Sequence, residues 1–368
     1  MYSRLDKLRQ FLAETELDAV VLNPGPTLTY LTGLDFHISE RPTVLLFSPN
    51  TENPVLVLPG LEMGKVQDRD ISIHPFPYED NPNSWGDSFK KAVSHLGLGK
   101  SLIGVEPNHL RFLEHQYLQQ ALPESRFISA AHILSKLRIN KSPEEIQNMK
   151  QAVHIAETAL MATLKTIQPG MDEREIASEL TIQLLRAGSD PTLPFHPIVA
   201  SGPNSANPHA IPGSRKIQAG DFLLFDFGAS YNGYYSDITR TLAVGEVDQE
   251  LKKIYQVVKE ANSAARQAVK PGTPAGEVDS AARKVIQQAG YGDYFIHRTG
   301  HGLGLEIHEP PYIFTDNPVI LEKGMTFTVE PGIYLFNRAG VRIEDNVVVT
   351  ADGCETITGF SRELMILE

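Results

Sequence analysis

Cysteine is almost absent from this 368-residue sequence, and its scarcity excludes one way of holding a fold together. Cys354 is the only cysteine, so the chain cannot form an internal disulfide framework. Proteins of reducing compartments keep their thiols free. We therefore expect a cytoplasmic protein.

Long apolar segments and an excess of basic residues are also missing. No stretch approaches the roughly 20 apolar residues that a membrane-spanning helix needs. Residues 1–23 read as an amphipathic helix followed by a strand, and they lack the continuous apolar core of a signal peptide. The net charge of -12 argues against nucleic acid and anionic membranes as partners, because both bind basic surfaces. The surplus of carboxylates suits hard cations.

What is present is the composition of an ordinary globular protein, with 41% hydrophobic and 21% charged residues. The length allows two domains. The first part alternates helical or irregular pieces with short β-rich runs, "DAVVLN", "TVLLFS", "PVLVLP" and "SLIGVE", which is typical of a small α/β domain. The composition changes near "SKLRINKSPEE", and we place the boundary near Ala131. The predicted domains are residues 1–131 and 132–368.

The second domain contains an internal repeat. A helix is predicted to begin after Ser142, which with Glu145 forms a capping-box pattern, and to stop before residues 169–170. "PGMDEREIASELTIQLLRAG" and "PGTPAGEVDSAARKVIQQAG" then each separate a Pro from a closing Gly by 19 positions (188 − 169 and 290 − 271). Each is preceded by another helix and followed by a β-rich segment with a hairpin. The order helix, helix, hairpin therefore predicts two related halves around a pseudo-twofold.

Two aspartates lie in the hairpin of the first half. Asn232-Gly233 is a strong two-residue turn signal between β-prone runs. If the residues that flank this turn pair, Asp226 lies opposite Thr239, and Asp237 lies diagonally on the same face. A register shifted by two residues would place the two aspartates directly opposite. In either register a pair of carboxylates in an apolar hairpin requires a positive partner.

The second half offers two glutamates at matching places. Asp226 follows the first closing glycine by 38 residues (226 − 188), and Glu330 follows the second by 40 (330 − 290). Glu344 lies on the return strand of the second half. If the pseudo-twofold brings both pairs together, the four carboxylates require cations. Two divalent ions with oxygen-rich ligation and one imidazole would suit them.

The imidazole comes from "TGHGLGLEIHEPP". This stretch is not the helical zinc motif, because Glu309 follows the last histidine, and it is not a dinucleotide loop, because Ile307 occupies the place of the third glycine. Taken alone it reads as a glycine-rich turn. Together with the four acids it indicates His301 as the fifth ligand, with glycines that let the backbone come close to an occupied cavity. His308 would then approach the substrate from another direction.

The order of these residues resembles the pita-bread metallopeptidases, most closely their proline-specific branch, the Xaa-Pro dipeptidases (prolidases) and aminopeptidase P. The motifs that carry the likeness are "DFG", "SDITRT", "GHGLGLEIHE", "VEPGIY" and "RIEDN". The resemblance spans the whole chain. It implies an α+β protein, with a pita-bread catalytic domain at residues 132–368 after a smaller creatinase-like α/β domain at residues 1–131.

The resemblance also implies roles for the metal ligands. Asp226 would chelate one metal ion, His301 and Glu330 would chelate the other, and Asp237 and Glu344 would bridge both. Manganese suits this oxygen-rich set with one histidine, and cobalt or zinc would also be accommodated.

Four further residues are carried over from the family. His209 in "NPHAIPG" matches a family histidine near the scissile bond, and His308 matches another active-site histidine. Both would donate hydrogen bonds to the developing oxyanion and to the substrate backbone. His297 and Arg342 match substrate-binding residues. For these two a supporting role is an open alternative, in which Arg342 only orients Glu344 or Asp237.

The implied activity is that of an exopeptidase that hydrolyses the Xaa-Pro bond at the N-terminus of dipeptides or short peptides. Two metal ions would generate hydroxide from a shared water near neutral pH. Glu330 would take the water's proton and pass it to the leaving proline nitrogen. The partners are then proline-containing peptides, and the family leads us to expect a homodimer.

Three other functions are related to this pattern of residues. A methionine aminopeptidase shares the five ligands but has no need of the preceding α/β domain. A creatinase-type hydrolase uses the fold without metals, and a catalytically silent binding module would be expected to have lost ligands. The intact ligand set argues against both. The sequence leaves open whether substrates are dipeptides only or longer chains.

Overall fold

The structure is a computed structural model that describes residues 4–67, 72–168 and 170–367. It divides into two compact units, Met1–Arg138 and Ile139–Glu368. Within the described residues, no helix is both long enough and apolar enough to pass through a membrane.

The first unit is an α/β domain built on one mixed sheet. Its elements are α1 (Arg4–Ala13), β1 (Ala19–Leu22), α2 (Pro26–Thr32), β2 (Val44–Phe47), β3 (Val55–Pro59), α3 (Met63–Gln67), β4 (His74–Tyr78), α4 (Trp85–His95), β5 (Leu102–Val105), α5 (Phe112–Ala121), β6 (Arg126–Ser129) and α6 (Ala131–Arg138). The strand order is β4-β3-β2-β1-β5-β6. The four β-rich runs that the sequence predicted are β1, β2, β3 and β5. Strands β1, β2 and β3 are completely buried, as continuous apolar runs require.

The division between the units comes one helix later than the sequence analysis placed it. Helix α6 begins at Ala131, where the boundary was predicted, but it belongs to the first unit. Leu134 and Leu137 are buried, and the hydroxyl of Tyr30 donates to the carbonyl of Leu137 at 3.0 Å. The change of composition near residue 139 marks the actual boundary, because α6 still packs on the α/β domain.

The second unit has the α+β content that the sequence predicted, and its elements occur in two similar series. They are α7 (Pro143–Leu164), α8 (Glu173–Arg186), β7 (Ile198–Ser201), β8 (Phe222–Phe227), β9 (Ser230–Tyr231), β10 (Tyr234–Tyr235), β11 (Ile238–Val244), α9 (Gln249–Ala268), α10 (Ala275–Gln288), β12 (Gly300–Gly302), β13 (Glu309–Ile313), β14 (Thr326–Val329), β15 (Gly332–Leu335), β16 (Ala339–Arg342), β17 (Asp345–Val349), β18 (Cys354–Thr356) and β19 (Ile366–Leu367).

The helix signals of this unit are confirmed. The side chain of Ser142 accepts from the backbone N–H of Glu145, and the Glu145 carboxylate accepts from the backbone N–H of Ser142 at 2.7 Å, which is the predicted capping box. The repeated segments form α8 and α10, each of 14 residues. Pro169, which opens the first repeated segment, lies outside the described residues.

Each helix pair packs on its own sheet. The first sheet has the order β19-β11-β8-β7, and the second has the order β13-β12-β14-β17-β18. One apolar core lies between α7, α8 and the first sheet, and another lies between α9, α10 and the second. The same arrangement therefore occurs twice, as the repeat predicted.

Candidate metal centre

The strand register of the first half places its two aspartates. Tyr234 pairs with Tyr231 across the turn, and Thr239 pairs with Asp226. This is the register that the turn signal predicted, without the shift of two residues. Asp237 immediately precedes β11 and is 5% exposed. It therefore lies diagonal to Asp226, at the end of the ladder.

The second half brings its glutamates to the ends of strands. Glu330 follows β14, and Glu344 lies between β16 and β17. Glu344 is joined to the first half, because its backbone N–H donates to the Thr239 carbonyl at 3.1 Å and its carboxylate accepts from the Thr239 hydroxyl at 2.7 Å. Thr239, which pairs with Asp226, is thus the link between the two predicted pairs of acids.

His301 lies on the short strand β12 with one ring nitrogen directed at the acids. Its Nδ1 lies 3.1 Å from the Gly302 carbonyl and donates to it, so Nε2 carries the lone pair. That Nε2 lies 3.6 Å from Asp237 Oδ2 and 3.4 Å from Glu330 Oε1. Burial lowers the pKa of His301 to about 3, and the imidazole is neutral, as a metal ligand must be.

The glycines that flank His301 are required for a different structural reason from the one predicted. The sequence suggested that they admit an occupied cavity. A side chain on Gly300 would instead overlap the Thr328 carbonyl, and one on Gly302 would overlap the carbonyls of Glu309 and Pro310. Glycine is required here because neighbouring strands approach β12 closely.

Asp237, His301 and Glu344 form a cluster that could hold a metal ion. Their ligand atoms all lie within 4.8 Å of one another, and all three residues are buried. Within the described part of the chain, Asp237 Oδ1 and Glu344 Oε1 are buried without a hydrogen-bond partner. Buried carboxylate oxygens are normally satisfied, so these two oxygens are suited to binding a cation, and oxygen donors with one imidazole suit a hard or borderline divalent ion.

The acids of this cluster also repel one another. Burial, followed by the charges of Glu344 and Asp226, raises the pKa of Asp237 well above its ordinary value. Burial and the charges of Glu330 and Asp226 do the same for Glu344. Burial raises the pKa of Glu330 to about 7. A bound cation would remove this repulsion.

Arg342 contacts a different acid from those that the sequence named. Its Nη2 donates to Asp226, not to Glu344 or Asp237. Its Nε donates to the hydroxyl of Thr239 at 3.0 Å. The hydrogen bonds of Arg342 therefore reach Glu344 through Thr239, the residue that the β8–β11 register places opposite Asp226.

Both ring nitrogens of His297 also form hydrogen bonds with other groups of the protein. Its Nδ1 donates to the Arg298 carbonyl at 2.7 Å, and its Nε2 accepts from the hydroxyl of Tyr334 at 2.8 Å. Tyr334 in turn accepts from Arg342 at 2.8 Å. Burial lowers the pKa of His297 to about 4. The structure thus links His297 and Arg342 through a tyrosine that the sequence analysis did not single out, although it lies in the quoted motif "VEPGIY".

His209 and His308 are exposed side chains that line the same cavity. The ring of His308 lies 4.2 Å from that of His301, edge to face. The cavity has a volume of about 1140 Å³, and all nine predicted site residues line it: His209, Asp226, Asp237, His297, His301, His308, Glu330, Arg342 and Glu344. Its apolar lining includes Phe195, Ile198, Ile211 and Ile296.

Two buried amide side chains support the ligands and were missed by sequence reasoning. Asn346 bonds to both the backbone N–H and the carbonyl of Asp237. Asn262 on α9 donates to the carbonyls of Val329 at 3.1 Å and Ile343 at 3.2 Å, the residues that precede Glu330 and Glu344. Asn346 lies two residues after Glu344 in the quoted motif "RIEDN", so its place in the motif could have identified it. No local sequence pattern identifies Asn262.

Comparison with known proteins agrees with this geometry. The profile of metallopeptidase family M24 matches residues 147–351, and that of the creatinase/prolidase N-terminal domain matches residues 4–140. The chain is 37% identical to the Xaa-Pro dipeptidase of Lactobacillus helveticus over 99% of this chain and 98% of that protein. It is 35% identical to the Xaa-Pro dipeptidase of Pyrococcus furiosus over 99% and 100%.

Solved structures resemble the chain over the same length. A dipeptidase from Pyrococcus horikoshii OT3 is 42% identical with a TM-score of 0.93, covering 99% of this chain and 100% of that one. A prolidase from Thermococcus sibiricus is 35% identical with a TM-score of 0.93, covering 99% and 98%. The predicted fold class, a creatinase-like domain before a pita-bread domain, is confirmed. The chain belongs to metallopeptidase family M24 and carries the N-terminal domain of creatinases and prolidases.

Proposed function

We propose that this protein is a metal-dependent Xaa-Pro dipeptidase. One observation carries the proposal. Asp237, His301 and Glu344 converge with unpartnered buried oxygens in a cavity. The proposal draws its substrate from full-length relatives that are Xaa-Pro dipeptidases. The substrate is then a peptide whose second residue is proline.

The residues present are suited to two divalent ions. Asp226 would hold one, His301 and Glu330 would hold the other, and Asp237 and Glu344 would be shared. When bound, such ions activate water and polarise the scissile carbonyl. We propose Mn²⁺ because four carboxylates and one imidazole favour it over softer ions, with Co²⁺ and Zn²⁺ as the alternatives.

The side chains around the cluster handle protons and orient the substrate. The carboxylate of Glu330 accepts the proton of the attacking water and returns it to the proline nitrogen as the peptide bond breaks. The rings of His209 and His308 have no hydrogen-bond partner among the described residues, so both are available to donate to the substrate's carbonyl oxygen and backbone.

His297 and Arg342 support the cavity wall in this proposal. Both ring nitrogens of His297 and three nitrogens of Arg342 already bond to protein groups. A substrate that bonded to them directly would have to replace these bonds. We therefore favour the supporting role over the substrate-binding role that the resemblance implied.

A methionine aminopeptidase-like activity is the second candidate, since it would use the same ligands. The match of residues 4–140 to the creatinase/prolidase N-terminal domain favours the proline-specific activity. A creatinase-type hydrolase and a silent binding module are disfavoured by the complete ligand set. A homodimer and a cytoplasmic location stay predictions, and the sequence made no choice between dipeptides and longer peptides.

The test is hydrolysis of Ala-Pro, Ala-Pro-Ala and a longer peptide beginning Ala-Pro, each after EDTA treatment and again with added Mn²⁺. We expect Ala-Pro to be cleaved only with metal. Met-Ala separates the second candidate, and Ala-Ala controls for a need for proline. Cleavage of Ala-Ala or Met-Ala in preference to Ala-Pro would contradict the proposal, as would full activity in EDTA.

A further inference from the structure

Outside the cavity, a completely buried carboxylate lies on α10 and has no part in the proposed chemistry. Both oxygens of Asp279 are saturated with hydrogen bonds. Oδ1 accepts from the backbone N–H of Thr299 at 3.1 Å and from its hydroxyl at 2.7 Å, and Oδ2 accepts from the Thr315 hydroxyl at 2.6 Å. Arg283 donates to both oxygens at 3.0 Å. Every one of these partners is a donor.

The anchored residue, Thr299, lies between two histidines of the site. It is two residues after His297 and two residues before His301. Its carbonyl accepts from the backbone N–H of Glu330 at 2.8 Å. A single residue therefore connects Asp279 to the strand of one predicted ligand and to the backbone of another.

Arg283 extends the same anchor. Its Nη2 donates to the His297 carbonyl at 2.9 Å and its Nη1 donates to the Phe295 carbonyl at 3.1 Å. Although burial alone would raise it, the pKa of Asp279 is held below its ordinary value by the bonds from Arg283, Thr315 and Thr299. The carboxylate is thus a charged hub for residues 295–299, the segment that leads into β12.

The first half contains a counterpart with a different target. Glu173 on α8 is also completely buried, and it accepts from the backbone N–H of Ser201 at 2.7 Å, the Asn204 amide at 2.8 Å and the Gly213 N–H at 2.9 Å. Glu173 follows its repeat's Pro by four residues (173 − 169) and Asp279 follows by eight (279 − 271), one helical turn further on the same face. The segment that Glu173 anchors carries His209 but none of the five predicted ligands.

We propose that Asp279 is a positioning residue for the metal centre, which fixes Thr299 and thereby the places of His301 and Glu330. It touches neither substrate nor ligand atoms and acts through the backbone. Glu173 acts in the same way on the loop of His209 alone. The inference rests on the metal centre of the proposed function.

Replacement by the isosteric amide tests the role with little change of shape. Asp279→Asn removes the charge and replaces one acceptor oxygen by an NH₂ group. A threonine hydroxyl can rotate to accept from that group, but the Arg283 N–H groups and the Thr299 backbone N–H can only donate, so at least one of these bonds is lost and the anchor of residues 295–299 is weakened. Loss of an orienting hydrogen bond behind a metal ligand typically weakens metal binding about 10–100-fold. We expect a weakening of this size in the Mn²⁺ dissociation constant of EDTA-treated full-length protein, measured by titration calorimetry. At saturating Mn²⁺, most of kcat should return.

Glu173→Gln is the matched control, since it makes the same change to an equally buried acid. We expect it to leave the Mn²⁺ dissociation constant within about twofold of wild type, with lower kcat at saturating metal because His209 is displaced. The melting temperature of each metal-free variant is measured alongside. If both variants weaken Mn²⁺ binding in proportion to their loss of melting temperature, the specific role of Asp279 is overturned.

Thr299→Val covers the case in which Asp279→Asn does not fold. Valine removes only the hydroxyl bond to Asp279 and keeps the backbone bond, so a weakening of Mn²⁺ binding by a few-fold is expected. Unchanged binding in Thr299→Val would overturn the inference. Wild-type protein that binds no Mn²⁺ would contradict the proposed function, whereas wild type and Asp279→Asn binding Mn²⁺ equally would contradict only the role of Asp279.

Discussion

The two halves of the second unit hold their ligands in different ways. In the first half, the pairing of β8 with β11 locates Asp226, and Asp237 directly precedes β11 at the end of that ladder. In the second half, Glu330 and Glu344 stand at strand ends, and side chains from α9 and α10 hold the backbone beside the predicted ligands. Asn262 bonds to the residues before Glu330 and Glu344, and Asp279 bonds to Thr299. A duplicated architecture can therefore build one site by two methods.

This difference has a structural reason. A hairpin joined by a two-residue turn has its register set by that turn, so the place of Asp226 is fixed within the hairpin, and Asn346 adds two bonds to the backbone of Asp237. The β14–β17 ladder ends at Val329 and Asp345, and beyond it the carbonyls of Val329 and Ile343 have the Asn262 amide as a partner. Buried carbonyl groups require such a partner.

The largest effect is expected when a proposed bridging ligand is removed from the first half. Asp237→Asn should abolish Mn²⁺ loading and lower kcat/KM for Ala-Pro by more than the roughly 100-fold that loss of an outer hydrogen bond costs. Bound manganese per chain and the hydrolysis rate are the measurements. Glu344→Gln should have the same effect from the other half. Substantial metal-dependent activity in Asp237→Asn would show that the bridging role is wrong.

The next largest effect concerns the ion pair that joins the halves. Arg240 on β11 donates to Asp345 on β17 at 2.8 Å, with side chains 2% and 0% exposed. Removing one member of a buried pair costs about 3–5 kcal/mol. Asp345 keeps Arg362 as a partner at 2.7 Å, so we expect Arg240→Met to lower the free energy of unfolding by about 3 kcal/mol in urea denaturation.

An exposed ion pair provides the control for this prediction. Arg338 pairs with Asp248 and Glu250 at the surface. Exposed pairs contribute less than about 1 kcal/mol, so Arg338→Ala should change the free energy of unfolding little. Equal losses in the two variants would mean that the Arg240 pair does not join the halves in the way described.

A smaller effect is expected at the helix amide of the second half. Asn262→Leu leaves two buried carbonyls without their donor and should lower the free energy of unfolding by about 2 kcal/mol. It should also weaken Mn²⁺ binding, because both glutamates follow the released carbonyls. Ser263→Ala is the control, since among the described residues the Ser263 hydroxyl bonds to the exposed side chain of Gln267. A loss of stability with unaltered Mn²⁺ affinity would contradict the claim that Asn262 holds Glu330 and Glu344 in place.

The smallest effect is a dependence of stability on pH. The pKa of Asp279 is lowered from 3.8, so its contribution to stability is present above that ordinary value and is lost as the pH falls through the lowered one. The difference in melting temperature between metal-free wild type and Asp279→Asn should therefore be constant near neutral pH and shrink below about pH 4. A difference that grows in acid would contradict the sign.

Local patterns predicted much of the molecule. The buried runs of the first unit became strands, the Ser142 capping box opened α7, and the Asn232-Gly233 turn set the register of Asp226. Each depends on residues close together in the chain, where turn chemistry and periodicity apply. The order of the acids and His301 was also enough to indicate a shared metal cavity.

The sequence by itself thus determined the elements and the duplication, because hydrogen bonding and apolar periodicity act over a few residues. It also supplied the candidate ligands, whose roles stay a proposal. Only the tertiary structure decided which acid Arg342 contacts, why Gly300 and Gly302 must be glycine, and how Asp279 reaches Thr299. The hydrogen bond from Thr299 to Asp279 joins residues 20 positions apart, and the one from Arg342 to Asp226 joins residues 116 positions apart. Packing selects such partners, and no short stretch of sequence records them.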